Sequence, residues 1–496
     1  MPDFDETPLL TALAIAAARP HAAFYAPGHK GGQGAATPLQ NLLGAAALRA
    51  DLPELPELDN LFAPSGPIQQ AQELAAHTFG AEATYFLANG STCGIEAAVL
   101  AVCSPGDQIL VPRNAHQSVL AALVLSGAAP VYLAPQYDKR WDLAWGVTAA
   151  QVEQALAAQP KIRAVVVVSP SYHGLCADIA AIAQQVHAHN AVLIVDEAHG
   201  AHLSFHPQLP TGAIAGGADI VIQSTHKVLG ALTQASMLHV QGQRLDRDRL
   251  QQALQLTQST SPNYWLLASL DAARHQMATQ GEALMAQTLA LAHDVRSRLS
   301  DLTPLALLTA EAVTAQSDQF QLDLTRLVID VSGLQLTGFS ADEFLHAHGV
   351  TAELPTQRQL AFILSLGNTG ADGDRLVAIC SELIAQAPQL PRAPFALLPP
   401  MTDSIAAIAQ PPMTPRDAFF APCQTVAIAD SVGRLGVDTL CAYPPGIPLL
   451  LTGERITAAA IAQLQQIHRS GGVITGTTDP ELKSLRVVSQ TKGNQA

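Results

Sequence analysis

Charge is scarce in this chain. Asp, Glu, Lys and Arg make up 14% of its 496 residues, and the basic ones are in the minority, 26 against 41, for a net charge of −15. That balance argues against nucleic acid or anionic membranes as main partners, because both are bound by basic surfaces. Cysteine is also sparse. Cys93, Cys103, Cys176, Cys380, Cys423 and Cys441 are scattered with no C-x-x-C pair. This indicates neither a zinc site nor a disulfide framework, and it fits reduced thiols in a cytoplasm. No uninterrupted apolar run is long enough to span a bilayer. The apolar stretch from Leu9 to Ala16 is preceded by acidic rather than basic residues, so it reads as a helix and not as a signal peptide. What the chain has in quantity is apolar surface, 48% of residues. That is enough for a large core, and the length predicts about three domains at roughly 150 residues each.

Between residues 61 and 300 apolar strand patterns alternate with helical ones. Strands are expected over 84–88, 108–111, 131–133, 162–168, 192–195, 220–223 and 235–240. Helices are expected from Ser91, over 116–125 and over 178–188, and a long one over 265–299 follows Pro262. This alternation predicts an α/β unit with a mostly parallel, doubly wound sheet. Residues 1–60 read as an N-terminal arm. Residues 301–395 read as a smaller α+β domain, with strands over 327–331 and 360–364 and helices over 341–348 and 375–384. A proline-rich connector, including the segment 393–400, leads to a final unit over 411–490. The last residues, from Lys492 to Ala496, are expected to fray.

Chemistry-bearing residues follow the strand ends, where open α/β sheets place their sites. Ser224-Thr225-His226-Lys227 comes directly after the strand over 220–223. A partly desolvated lysine there loses its proton more readily and can attack a carbonyl, so Lys227 is read as carrying pyridoxal 5′-phosphate (PLP) as a Schiff base. Asp196-Glu197-Ala198-His199 ends another strand. Asp196 is the candidate partner that keeps the cofactor's ring nitrogen protonated, and His199 the candidate for its phenolic oxygen. Asn89-Gly90-Ser91-Thr92 joins a strand to an alanine-rich helix, and a helix N-terminus with small residues binds phosphate. His116, in Arg113-Asn114-Ala115-His116, stands at the same rim. It reads either as a stacking residue for an aromatic cofactor or as a helix cap. In Phe24-Tyr25-Ala26-Pro27-Gly28-His29-Lys30-Gly31-Gly32, His29 is a candidate ligand contact or part of a plain turn. The acidic loop over 51–59 offers carboxylates to a cationic substrate, though a solvated loop is the simpler reading.

These segments together resemble the Orn/Lys/Arg decarboxylase family, PLP enzymes of the aspartate-aminotransferase fold (fold type I). The resemblance runs through Pro27-Gly28-His29-Lys30-Gly31, Arg113-Asn114-Ala115-His116, Asp196-Glu197-Ala198-His199, Ser224-Thr225-His226-Lys227, Leu232-Thr233-Gln234-Ala235-Ser236-Met237 and Ser259-Thr260-Ser261-Pro262-Asn263-Tyr264. Near the C-terminus it includes Thr414-Pro415-Arg416-Asp417 and Tyr443-Pro444-Pro445-Gly446-Ile447-Pro448, which look like the family's C-terminal domain. The chain looks like the short form, without the N-terminal wing domain of the large inducible enzymes. The resemblance implies Lys227 as Schiff-base lysine, Asp196 as ring-nitrogen partner and His116 as ring-stacking residue. It implies Ser91, Thr92, Ser224 and His226 as phosphate contacts. It also implies Ser259 as a phosphate contact supplied by the neighbouring subunit, hence a homodimer or larger homo-oligomer with shared sites. The expected reaction is decarboxylation of a basic amino acid. Arginine is favoured because short members are often arginine decarboxylases; lysine and ornithine stay open. Glu353, with the acids over 51–59, is a candidate for the substrate's cationic end. Gln117 and Val228-Leu229-Gly230-Ala231 depart from the family's usual residues without removing a catalytic group. An aminotransferase, an acyl-CoA-dependent synthase and a non-catalytic PLP-binding protein are the alternatives. The C-terminal unit argues against the first two, and the complete Lys/Asp/His set against the third.

Overall fold

The computed structural model describes residues 4–392, 408–443 and 447–489. Most of the expected connector, the segment Pro444-Pro445-Gly446 and the C-terminal residues from Lys492 lie outside the described residues. The chain divides into two compact units, residues 1–101 with 194–286 and residues 102–193 with 287–496.

In the first unit the strands run in the order Ala83–Leu87, Ser236–Val240, Ile220–Gln223 and Val192–Asp196. Ile194, Val195 and Asp196 pair in parallel with Ile220, Val221 and Ile222. Ser236–Val240 and Ala83–Leu87 add antiparallel. Every residue of Ile220–Gln223, Ser236–Val240 and Val192–Asp196 is buried, as expected for strands covered on both faces. Helix Pro67–Phe79 ends on Gly80 in the left-handed conformation and leads directly into the strand Ala83–Leu87. Helix Gly90–Val102 leaves that strand's far end. A Cβ at Gly94 would come within 2.6 Å of Leu87 Cδ1, so only glycine lets this helix lie so close to the strand.

The N-terminal segment carries two helices, Pro8–Ala18 and Thr37–Ala50, the second broken at Gly44, where φ is +74°. Pro8–Ala18 has no side-chain cap of its own. Its first free N–H groups, of Leu9 and Leu10, donate to Asp271 Oδ2 at 3.0 and 3.2 Å. Asp271 pairs with Arg274 at 2.6 Å, and both side chains are fully buried. Arg274 also donates to the carbonyls of Phe4 and Glu6, at 3.0 and 2.6 Å. The acidic loop is ordered in the same way. Asp59 is buried and accepts backbone N–H groups from Asn60, Ser65, Gly66, Ile68 and Gln69, which makes it a clamp at the head of helix Pro67–Phe79. Burial opposes its charge, but these donors outweigh burial and hold its pKa below the usual value.

In the second unit the strands follow the order Ile162–Val168, Gln108–Pro112, Ala129–Leu133 and Ile408–Ala409. The first three are parallel, and the last is a short antiparallel edge. A separate antiparallel sheet of Ala306–Leu307, Arg326–Asp330, Gln359–Ile363 and Leu354–Pro355 packs with helices Gly338–Ala347 and Gly370–Gln386. A further apolar cluster around Leu440, Leu450, Ile456, Leu464 and Val487 fills the C-terminal part. The 37-residue helix Tyr264–Ser300 is the longest described element. No described helix is long and apolar enough to cross a membrane.

Candidate active site

Lys227 sits in the short helix Thr225–Val228, immediately beyond the strand Ile220–Gln223. Its Nζ lies 3.0 Å from Nε2 of His199, itself buried three residues past the strand end at Asp196. An ammonium only donates, so with Lys227 protonated the imidazole accepts at Nε2 and carries its own proton on Nδ1. Asp196 is buried and accepts the Ala198 N–H at 3.2 Å. Among the described residues it has no ion-pair partner. A buried carboxylate that lacks a cation suits a group that brings one, and a protonated pyridine nitrogen is such a group.

The phosphate end of the reading has its own geometry. Gly90, with φ of +78°, opens the helix that carries Ser91 and Thr92. Ser224 Oγ donates to Ser91 Oγ at 2.8 Å, so the two turns meet hydroxyl to hydroxyl. Ser224 is buried, Ser91 half-buried and Thr92 exposed. The fully buried Thr225 hydroxyl has no partner among the described residues. His226 Nδ1 lies 3.0 Å from the Ala235 carbonyl, to which it donates. Burial first, and then the Lys227 charge, hold its pKa below the ordinary value despite that bond. Neutral His226 therefore presents a bare Nε2. Two hydroxyls at a helix N-terminus, a cation-free carboxylate and a lysine, all within one unit, form a donor set that fits PLP.

Two residues behind this turn were not singled out individually by the sequence. Gln234 adopts φ of +85° and donates through Nε2 to the Ala88 carbonyl at 2.6 Å, which ties the loop after Lys227 to the turn before Ser91. Asn89 Oδ1 accepts the Ser259 N–H at 3.2 Å. Ser259 is exposed, and its hydroxyl accepts the Ser261 N–H at 3.1 Å. His29 also belongs to this unit. Its Nδ1 accepts the Gly32 N–H at 3.0 Å, and its Nε2 donates to Asp51 at 3.0 Å.

His116 and Glu353 lie in the second unit. His116 is the N-cap of helix Gln117–Ser126, its Nδ1 accepting the Ser118 N–H at 3.2 Å. The cap reading is thus realised. Three residues before it, Arg113 is held by Glu454 through a two-pronged pair whose Nη2–Oε2 arm is 3.0 Å. The guanidinium also lies 5.7 Å from the centre of the Tyr132 ring. No spacing rule links positions 113 and 454, so this anchor was out of reach of the sequence. Glu353 is exposed beside the strand Leu354–Pro355.

Comparison with known proteins agrees with the geometry. The major-domain profile of the Orn/Lys/Arg decarboxylases matches residues 7–372, and the C-terminal-domain profile of the same family matches residues 400–476. The chain is 36% identical over 493 residues to a protein named arginine decarboxylase from Bacillus subtilis, with 99% of each chain covered. It is 26% identical to a lysine decarboxylase of Pseudomonas aeruginosa, over 93% of this chain and 75% of that one. The crystal structure of the Francisella novicida lysine decarboxylase superposes with a TM-score of 0.84 at 23% identity, covering 97% of this chain and 81% of that one, and so shares its fold. With both profiles matched in chain order, this protein belongs to the Orn/Lys/Arg decarboxylase family and is an amino-acid decarboxylase.

Proposed function

We propose that the protein decarboxylates arginine with PLP held on Lys227. The observation that carries the cofactor is the buried, cation-free carboxylate of Asp196 in the same unit as the Lys227–His199 contact. Arginine is favoured because the full-length relative at 36% identity bears that activity in its name. Lysine and ornithine are the other two substrates the family offers.

When bound, PLP supplies a sink for the electron pair left on Cα as CO₂ departs. The chain supplies everything else. Asp196 keeps a proton on the ring nitrogen, which favours the transition state over the ground state. His199 accepts from Lys227 Nζ and so aims that amine. Lys227 returns a proton to Cα once CO₂ has left, with His199 or His226 as the alternative donor. Ser91, Thr92 and Ser224 hold the phosphate with hydroxyls at a helix N-terminus. His226, whose Nδ1 donates to the Ala235 carbonyl, would add a donor from Nε2 if protonated beside the phosphate. His116, whose Nδ1 caps its helix, would hold the plane of the cofactor's ring. Ser259, exposed on its loop, reaches the site of a neighbouring subunit in a homodimer or larger assembly. Glu353 is the candidate for the substrate's cationic end; both ring nitrogens of His29 are already engaged by Gly32 and Asp51, and the acids of the 51–59 loop by partners within the chain.

We read residues 1–60 as an arm, 61–300 as the cofactor domain, 301–395 as a small domain and 411–490 as the C-terminal domain, in a cytoplasmic enzyme. The test is release of CO₂ and amine from the PLP-loaded protein given arginine, lysine and ornithine separately. Agmatine is expected. Cadaverine or putrescine alone would replace arginine as substrate, and no CO₂ from any of the three would overturn the reading.

A further inference from the structure

Asp196 ends its strand and Glu197 follows it, still tied to the sheet by its N–H to the Ile222 carbonyl at 2.9 Å, so their side chains project to opposite faces. Gln223 and Ser224 stand in the same relation one strand away. Asp196 and Ser224 belong to the candidate site. Glu197 and Gln223 face the other way, and both are buried, at 2% and 1% exposure.

A single line of hydrogen bonds crosses that second face. Glu197 Oε1 accepts the Ala213 N–H at 2.6 Å, and Oε2 accepts from Gln223 Nε2 at 2.7 Å. An amide that donates through its nitrogen turns its oxygen to whatever lies behind. There His239 Nε2 stands 3.0 Å from Gln223 Oε1. An amide oxygen only accepts, so His239 carries its proton on Nε2 and leaves Nδ1 bare. Thr84 Oγ1, 2.8 Å from that Nδ1, must then donate to it. The register brings these residues together: Thr84 pairs with His239 across one antiparallel ladder, and Gln223 is opposite Met237 in the next. Every donor points toward Glu197. Phe79 closes the face with its ring 4.9 Å from that of His239. Burial keeps His239 neutral, with a pKa pushed down to about 3, so its tautomer is fixed by its two neighbours.

We propose that Glu197 is a positioning residue: through Gln223, His239 and Thr84 it sets the direction of this hydrogen-bond line and so holds the strand ends bearing Asp196 and Ser224 in place for the ring nitrogen and phosphate of PLP. The proposal rests on the PLP reading above. Lines of hydrogen bonds that run one way reinforce each other, and a fully satisfied buried line specifies one arrangement of its strands. The line lies on the face of the sheet opposite Asp196 and Ser224, so Glu197 acts through those strand ends and is not a catalytic residue.

The direction can be reversed without changing shape. In Glu197→Gln the new amide keeps its oxygen for the Ala213 N–H and must offer its nitrogen to Gln223. Gln223 then flips, His239 moves its proton to Nδ1, and Thr84 becomes the acceptor. In the double variant E197Q/Q223E the carboxylate moves one step along the line. The amide now at position 197 donates to the carboxylate now at position 223, His239 again donates from Nε2, and every group keeps a partner. The experiment records, at pH 8 where Glu197 is the carboxylate, the ¹⁵N shifts of His239 in the apoprotein, PLP affinity by visible absorbance, and kcat and KM. E197Q is expected to switch the His239 tautomer, to weaken PLP at least about tenfold and to lower kcat by a similar factor, with KM within about twofold. E197Q/Q223E is expected to recover the wild-type tautomer and most of both losses. A switched tautomer with unchanged PLP affinity and kcat would overturn the proposal, as would a swap that restores the tautomer but neither function. If the wild-type protein itself binds no PLP, the cofactor reading fails instead, and the tautomer measurement on the apoprotein tells the two failures apart.

Discussion

Replacing Glu454 by Gln removes the charge that holds Arg113, and the structure sets the size of the effect. The Arg113 and Glu454 side chains are 9% and 18% exposed, so water replaces little of the lost partner. Breaking a buried pair from one side costs about 3–5 kcal/mol, because the remaining charge stays desolvated. The Tyr132 ring face remains beside the guanidinium and returns about 1 kcal/mol. A net loss of about 3 kcal/mol is therefore expected for E454Q. The double variant R113M/E454Q strands no charge and should lose only about 1 kcal/mol. For a unit of about 300 residues each kcal/mol moves Tm by about 1.6 °C, so the single change should lower the melting step of its unit by about 5 °C. Differential scanning calorimetry that resolves the steps is the assay, since a chain of this size need not melt in one. CO₂ release should fall with E454Q too, because Arg113 anchors the loop that ends in His116. The reasoning is refuted if the double variant loses as much Tm as E454Q alone, or if E454Q leaves Tm and turnover unchanged.

Lys227→Ala should abolish steady-state CO₂ release, and borohydride should no longer fix PLP to the chain; retained turnover would remove Lys227 from its role. Asp196→Ala should still bind PLP, though weakly, and lose roughly 10²–10³-fold in kcat, the size of a missing electrostatic partner; an unimpaired variant would contradict the electron-sink arrangement. Glu197 gives a pH signature. Burial pushes its pKa up to about 7 against the Gln223 and Ala213 hydrogen bonds, from an ordinary value of 4.5. The folded state thus holds a proton the unfolded chain has given up. That contribution is complete below pH 4.5 and is lost as pH rises to about 7, roughly 3 kcal/mol at about 1.4 kcal/mol per tenfold change in proton affinity. Melting curves of the apoprotein from pH 4.5 to 8 should show this decline in wild type and a flatter profile in E197Q; parallel profiles would refute it.

The site was legible where chemistry follows an apolar strand. Val192–Asp196 and Ile220–Gln223 are runs of Val, Leu and Ile that stop at a polar residue, and both ends fall where the sequence places them. Strand direction was not legible. Ser236–Val240 reads like its neighbours yet runs antiparallel, because orientation is decided by pairing and not by composition. The helix Thr37–Ala50 escaped notice since Gly44 interrupts its pattern with a left-handed residue. The short ladders joining Gln136–Asp138 to Leu143–Gly146, and Leu175–Ala177 to Phe320–Leu322, are too brief to carry a period. Asp59 shows the limit for single side chains. As one acid among several it looked solvated, and only the turn around it reveals five backbone donors converging on its carboxylate. The Glu197 line needs register across four strands, which no local pattern encodes.

The anchoring of Pro8–Ala18 by Asp271 has a consequence in time. The carboxylate that caps this helix is 262 residues further along the chain than Leu9. At synthesis rates of about 5–20 residues per second, the helix waits roughly 13–52 s after leaving the ribosome before its cap exists. During that interval the helix has its neighbours Thr37–Ala50 and Pro67–Phe79 to pack on, but the N–H groups of Leu9 and Leu10 lack their carboxylate acceptor. The beginning of this chain is therefore fastened in two stages, first by its neighbours in sequence and later by the helix Tyr264–Ser300.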